Sequence, residues 1–456
     1  MSLAIAALVK QIPKFEAMEL GPDGRLVREG LELEMNPYCR RAVAEAVELA
    51  QEHGGTVCVI TLGPPAAEDT LREAIAWGTD RGVEITGVLL TDPAFAGSDT
   101  LATARALAAL IELEGPFDLV LAGRNSVDAD TGQVGPELAA LLDLPFATGV
   151  RHLSLEHRTL HLRCEHDDGW VQSRVDLPVV LSTAERLIDP CKVEPEGRAA
   201  VPAELIRIRS ARDVGDGPWG QAASPTRVGR VRVIEAERLR YLLPDAPLDE
   251  QVRRAIEILA ARGALDPALD HAADIGLLPA PNPDATRTIG VLVEPDRPAV
   301  TRELLGAAAG LGGRVVALVV EPPDADMLGA WGADEIVHLR GAAVEEDVAV
   351  GCTNWVHAAG PWAFLAPSTV WGREVASRAA AVIGAGLTGD AVGLELDGDR
   401  MTAWKPAFGG QLVAAIHTDS TTQMATVRAG MLAELQPRVH RATVTDLVVS
   451  ARERMR

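Results

Sequence analysis

The sequence predicts an α/β protein of two related, doubly wound parallel-sheet domains, with a short antiparallel extension and a helical, proline-rich linker. Three observations carry that expectation. Short apolar runs alternate with amphipathic helical runs, the pattern of a mostly parallel sheet covered on both faces. The pattern occurs twice along 456 residues. Composition is that of a folded chain, 47% apolar and 24% charged, long enough to bury more than one core.

The first copy runs in order. LAIAALV opens as a strand, not a signal peptide, because the apolar stretch is short and no basic segment precedes it. Residues 37–53 space Ala42, Val43, Ala46, Val47 and Ala50 at helical intervals. TVCVITLG is a buried strand, AAEDTLREAIAWG a helix ended by Gly78, and GVEITGVLL a strand. A helix over DTLATARALAALIEL and a strand over FDLVLAG follow. Residues 150–182 read as short antiparallel strands joined by polar turns. Residues 183–225 lack regular pattern, 229–263 look helical, and the proline-rich segment after them reads as a linker. A second αβ region begins at TIGVLVEP.

The two regions resemble each other. GGTVCVITLGPPAAEDTLREAIAWGTDRGVEI pairs with GGRVVALVVEPPDADMLGAWGADEIVHL, and residues 117–156 pair with 362–398. Thr148-Gly149 and Thr388-Gly389 fall at matching places. Two copies on one chain can pack as related subunits do. The WGTD and WGAD turns at 77–80 and 331–334 are expected to be structural.

Several classes are excluded. Asp and Glu total 65 against 43 Lys and Arg, a net charge of −22 that repels nucleic acid and anionic membrane surfaces. Only Lys10, Lys14, Lys192 and Lys405 are lysines and none follows a glycine, which removes the Walker A phosphate loop. Five scattered cysteines without Cys-x-x-Cys spacing fit a reducing cytoplasm and no zinc ribbon. Residues 349–372 carry no charge, but Gly360, Pro361 and Pro367 interrupt them, so buried strands and loops are expected and no membrane insertion. His152, His157, His161, Cys164 and His166 lack tight ligand spacing and read as solvated strand residues. No Gly-x-Ser-x-Gly or His-Glu-x-x-His occurs.

The main local feature is the loop from Gly123 to Pro136, GRNSVDADTGQVGP. It follows a buried strand and precedes a helix, at the strand end where open α/β sheets bind ligands. Its glycines permit close backbone approach, and the helix N-terminus offers N–H groups to phosphate. A surface loop with a capped helix is the competing reading. Asp128 and Asp130 resemble the start of a cation loop, but Ala139 stands where an EF-hand needs a glutamate. Gly384-Ala-Gly-Leu-Thr-Gly389 follows a helix and precedes a strand, so it reads as a helix C-terminal turn and not a dinucleotide fingerprint.

Together these residues resemble the electron transfer flavoprotein family. Residues 1 to about 210 are similar to its β subunit through Val9-Lys10, Met35-Asn36-Pro37-Tyr38-Cys39, Gly63-Pro64, Trp77-Gly78-Thr79-Asp80-Arg81-Gly82, the Asp128–Gly135 loop, and Leu177-Pro178 through Leu187. Residues about 287–435 are similar to the N-terminal domain of the α subunit. The matching strings there are Gly372-Arg373, Leu387-Thr388-Gly389-Asp390, Lys405-Pro-Ala-Phe-Gly-Gly410 and Gln423-Met-Ala-Thr-Val-Arg428.

The resemblance implies adenine nucleotide α-hydrolase-like domains: a β-like nucleotide-binding domain at 1–210, an arm, helix and linker at 211–286, an α-like domain at 287–435, and a tail at 436–456. It implies an electron carrier holding FAD or AMP in the β-like site, with the Asp-Ala-Asp-Thr-Gly-Gln-Val-Gly-Pro loop closer to the FAD-binding, bifurcating members. That site maps by position onto Leu8, Asn36, Gly63, Gly123, Asp128, Asp130, Thr131, Gly132, Gln133 and Val134. Phe15 and Tyr38 fall where β residues approach the flavin of the α subunit. Since 26 residues follow Gly430, a second FAD is expected on a separate FAD-domain protein. Expected partners are that protein, a flavin dehydrogenase as donor and an acceptor such as a quinone oxidoreductase. The family's lysine-rich docking segment reads Cys-Lys-Val-Glu-Pro-Glu-Gly-Arg at 191–198, unlike the usual dehydrogenase-docking pattern. No side chain need act as acid or base, because the cofactor carries the redox chemistry. The alternative is a non-redox nucleotide-binding assembly or regulatory protein. Adenylate chemistry at the loop is disfavoured for lack of a nearby Lys or His in the sequence.

Overall fold

A computed structural model describes residues 2–14, 32–233, 241–243, 246–265, 276–282 and 285–456. Phe15 and much of the expected linker lie outside them. In the first half, β1 (Leu3–Leu8), a ribbon of β2 (Gln11–Pro13) and β3 (Leu33–Met35), and α1 (Pro37–His53) come first. The alternation continues through β4 (Gly55–Leu62), α2 (Glu68–Thr79), β5 (Glu84–Leu90), α3 (Thr100–Glu114), β6 (Leu119–Gly123) and α4 (Val134–Leu141). Strands β7 (Phe146–Glu156), β8 (Thr159–His166), β9 (Gly169–Asp176) and β10 (Val179–Thr183) complete the body. After them come α5 (Pro195–Ala199), β11 (Ile206–Arg209), α6 (Gly220–Ala223), β12 (Thr226–Val233) and α7 (Leu248–Ala261).

The second half repeats the plan with β13 (Thr288–Leu292), α8 (Pro298–Gly310), β14 (Arg314–Val319), α9 (Ala325–Trp331), β15 (Glu335–Arg340), α10 (Glu345–Ala359), β16 (Ala363–Pro367) and α11 (Val370–Ile383). It ends with β17 (Leu387–Ala391), β18 (Gly393–Asp397), β19 (Arg400–Ala407), β20 (Leu412–Thr418), β21 (Gln423–Val427) and β22 (Thr443–Val448). The uncharged stretch at 349–372 is thus the end of a helix, a buried strand and the start of the next helix. No helix among the described residues is long and apolar enough to cross a membrane.

The internal repeat is visible in strand order. The first sheet runs β11-β5-β4-β1-β6-β10-β7-β8-β9, and the second β22-β15-β14-β13-β16-β21-β17. Seven positions correspond one to one, and Thr148-Gly149 and Thr388-Gly389 lie on the corresponding strands β7 and β17. Both sheets are doubly wound. On β1, Ile5 and Ala7 face α1 and α2, while Ala6 and Leu8 face α3 and α4. Successive side chains of a strand point to opposite faces, so a strand buried on both must be apolar throughout.

Two expectations are corrected. Within 150–182, β7, β8 and β9 pair antiparallel, but β10 returns to the sheet interior, parallel to β6 and β7. All five β10 residues are buried, as an interior parallel strand requires. The region 229–263 is not one helical stretch. TRVGRVRV forms β12, an edge strand whose arginines alternate with valines, and only 248–261 are helical among the described residues.

The halves exchange edges. β12, from the first half, pairs antiparallel with β20 of the second in a four-stranded sheet with β19 and β18. Reciprocally, the segment after β22 lies on β9: Val175 bridges Met455, and Arg174 and Arg456 exchange backbone hydrogen bonds of 2.7 and 3.0 Å. Residues 436–456, expected as a tail, therefore contribute both β22 and a cap on the partner sheet's edge. Helix α4 lies against α11, and the Asp167 carboxylate accepts from the Val370 amide at 2.7 Å, capping α11.

Arg452 and Arg454 lock the second exchange. Both bond the buried Glu346 carboxylate in the first turn of α10, and both reach Asp143 just after α4. Replacing both arginines by methionine would leave Glu346 buried without a cation. The double variant is expected to lose about 1–3 kcal/mol in urea unfolding, less than a fully buried pair because both arginines are partly solvated.

Candidate functional site

The loop Arg124–Gln133 leaves the sheet at the carboxyl end of β6 and enters α4. Three contacts hold its near side. Asn36, fully buried at the start of α1, donates from Nδ2 to the Asn125 carbonyl at 2.9 Å and accepts from the Val127 amide at 3.2 Å. The Lys10 ammonium donates to both Asp128 carboxylate oxygens at 2.8 and 2.9 Å and to Ser126 Oγ at 3.1 Å. Asn125 donates from Nδ2 to Asp130. Burial alone would raise the Asp128 carboxyl, but the charge and hydrogen bonds of Lys10 pull it below its ordinary value.

The far side presses on the second half. Buried Gln133 donates from Nε2 to the Leu387 carbonyl at 3.1 Å, and its Oε1 accepts from Thr100 Oγ1 at 3.0 Å. The Phe408 amide donates to the Asp128 carbonyl at 3.2 Å. Asp130 and Gly132 both take positive φ, 49° and 64°, so the chain doubles back before α4. Gly123 has no room for a side chain: a Cβ there would stand 2.8 Å from the Tyr38 carbonyl carbon. A larger residue would push β6 off the start of α1.

Of the sequence-predicted residues, Leu8, Gly123 and the 128–134 loop gather at the ends of β1 and β6, with Asn36 behind them. Gly63 sits at the end of β4, one strand away, its amide bonded to the Leu90 carbonyl at 3.1 Å. The first turn of α4 leaves its leading amides without helical partners, and no side chain caps them. Asn125 Oδ1 is buried and has no hydrogen-bond partner among the described residues. Tyr38 donates from its hydroxyl to Glu185 at 2.7 Å; burial and then that bond push its phenol up to about 12. The histidines of β7 and β8 form no group that could hold a metal ion among the described residues. Gly384, with φ 76°, ends α11 in the left-handed conformation, as a C-terminal turn.

Sequence reasoning placed no lysine near the loop; the structure places Lys10 on it and Lys405 beside it. Lys10 is bound to Asp128 and so holds the loop's shape. No local spacing could show this contact, since 118 residues separate the pair.

The corresponding crevice of the second half is closed. Two residues, Ser368 and Thr369, join β16 to α11, against ten between β6 and α4. Thr369 caps the Gly372 amide and donates to the Glu294 carboxylate at 2.7 Å, so an acidic group fills the strand ends. A Cβ on Gly372 would meet the Pro367 carbonyl at 2.2 Å. A trough beneath the tail, lined by residues including His152, Arg163, Arg174 and Arg454, lies on a sheet face, away from the strand ends.

The family model of the electron transfer flavoprotein domain matches residues 23–208 and 293–451. An electron transfer flavoprotein subunit beta of Thermoanaerobacterium thermosaccharolyticum is 36% identical over 262 residues, 57% of this chain and 98% of the relative. The caffeyl-CoA reductase-Etf complex subunit CarD of Acetobacterium woodii is 36% identical over 232 residues, 50% of this chain and 87% of its own. Protein FixA of Azorhizobium caulinodans is 36% identical over 261 residues, 54% and 91% respectively.

Two outcomes follow for the loop. Asn36→Ala would orphan the Val127 amide and Asn125 carbonyl; it should cost about 1–3 kcal/mol and speed amide exchange across 124–133. Burial pushes the Glu137 carboxyl, whose Oε1 lies 3.0 Å from Thr100 Oγ1, from 4.5 up to about 8. Between those values the folded chain holds a proton that the unfolded chain releases, so stability falls as pH rises. Wild-type Tm should drop relative to Glu137→Gln between about pH 5 and pH 8, and equal slopes in thermal melts would contradict it.

Proposed function

The chain belongs to the electron transfer flavoprotein family, and on that premise we propose that it is a fused β/α-type electron carrier holding FAD or AMP at the loop after β6. The observation that carries this is the open, glycine-bearing connection at the carboxyl ends of β1 and β6, against the closed one in the second half. The residues present fit an adenine nucleotide. The uncapped amides of α4 suit a phosphate, and Asn125 Oδ1 is a buried acceptor awaiting a donor.

In this reading Leu8, Gly63 and Gly123 line the strand ends, while Asp128 through Val134 wrap the ligand. Asn36 and Lys10 hold the loop so that little ordering remains to be done on binding. A bound flavin would supply the electron chemistry; the chain supplies position, exclusion of water and electrostatics. We assign the second FAD to a separate FAD-domain protein, as the resemblance implies. A flavin dehydrogenase would be the donor and a quinone oxidoreductase an example of the acceptor. All five cysteines are free and buried, which suits a reducing cytoplasm.

The test is to purify the chain, denature it and identify the released nucleotide by absorbance and chromatography. One FAD per chain is expected if the site is itself a redox site, and one AMP if the site is a scaffold. AMP with no electron transfer in the presence of a flavin partner would favour a non-redox assembly or regulatory role. Asp130→Ala and Gln133→Ala should each lower nucleotide retention; unchanged retention in both would remove the site from this loop.

A further inference from the structure

The second half also carries a buried cation with nothing to hold. Lys405 on β19 is 8% exposed, and its ammonium has no hydrogen-bond partner among the described residues. An ammonium out of water without an acceptor is costly, so such a group is retained where something else supplies the acceptor. Its surroundings are charged. Burial, helped by repulsion from Arg373 and Arg428, outweighs the attraction of Asp390 and Asp130 and draws its pKa down to about 8. Asp390 is already engaged: it accepts from Ser368 Oγ at 3.1 Å, from Arg373 at 3.2 Å and from Arg428. Asp130 is engaged by Asn125. Three cations therefore face two carboxylates, and one positive charge is left over.

The position is as informative as the charge. The segment after Lys405 is stitched to the first-half loop by the Phe408 amide on the Asp128 carbonyl. β17 meets the same loop through the Gln133 amide and Leu387. Asp130, whose charge acts on Lys405, sits four residues before Val134, where α4 begins. The loop thus offers backbone amides from its own half, while the other half brings a buried ammonium within the electrostatic reach of Asp130.

We propose that Lys405 is a ligand for a phosphate group of the nucleotide at the loop, so that the site is built from both halves of the chain. The inference rests on the nucleotide reading above and adds a residue to it. The ligand class is a phosphate ester, and the ammonium reads its charge, not its base or ring. A water bridging Lys405 to the two carboxylates is the competing arrangement, and it predicts no phosphate dependence.

The experiment is calorimetric titration of the nucleotide-free chain with AMP, with FAD and, separately, with adenosine. Lys405→Met should weaken AMP by about tenfold or more, the scale of one lost charge-assisted hydrogen bond, and leave adenosine unchanged. Lys405→Arg should recover most of the AMP affinity. Melting without nucleotide controls for folding: Lys405→Met should be no less stable than wild type, since the change removes an unpartnered charge. Equal AMP affinity in Lys405→Met and wild type would overturn this inference alone. Parallel loss of AMP and adenosine would overturn it too, because that is what damage to the interface produces. Failure of the wild-type chain to bind either AMP or FAD would overturn the nucleotide reading and this inference with it.

Discussion

The geometry of the loop after β6 depends on one buried amide. Asn36 sits at the first turn of α1 and spends both ends of its side chain on the backbone of a segment 89 and 91 residues away. That choice fixes where the sheet, the first helix and the loop meet. With Asn36 in place, Gly123 must be a glycine, Lys10 reaches Asp128, and the loop is delivered to α4 with its amides uncovered. A buried side-chain amide is costly unless satisfied, so the arrangement tolerates little drift. Only after this near side is set can the far side be shared with the second half through Gln133 and the Phe408 amide.

The two halves show what a repeated fold can do with one topology. Seven strands correspond in order, yet the two connections that could form a ligand crevice differ in length and in charge. The long one is kept open by glycines and a buried asparagine. The short one is sealed by Thr369 and Glu294. The asymmetry between the halves comes from a loop and a few side chains on a shared scaffold, which is the usual division between fold and site.

Much of the scaffold was legible from periodicity because its interior strands are apolar on both faces and its helices are amphipathic. β10 could have been recognised by the same sign, an unbroken apolar run, but its position after a set of alternating strands pointed the other way. β12 was hidden for the opposite reason. It is an edge strand with arginines on one side, and Arg is as much at home in a helix as on a solvated strand. The loop and its glycines stood out because they interrupt regular pattern at a strand end. Lys10 did not, because its partner Asp128 lies 118 residues away, and Lys405 did not, because its charged surroundings come together only in the fold. Scarcity was the available hint: in a chain that otherwise uses arginine, two of its four lysines face one loop.

The exchange of edge strands has a consequence for how such an assembly is made. β12 covers an edge of the second half, and the final residues cover an edge of the first, so neither half alone would have its sheet margins protected. Placing both on one polypeptide makes their meeting an intramolecular event, governed by the tether and not by abundance. Stoichiometry is then set during translation. Dilution does not separate the halves, and a surplus of one over the other, with bare strand edges free to find unrelated chains, does not arise.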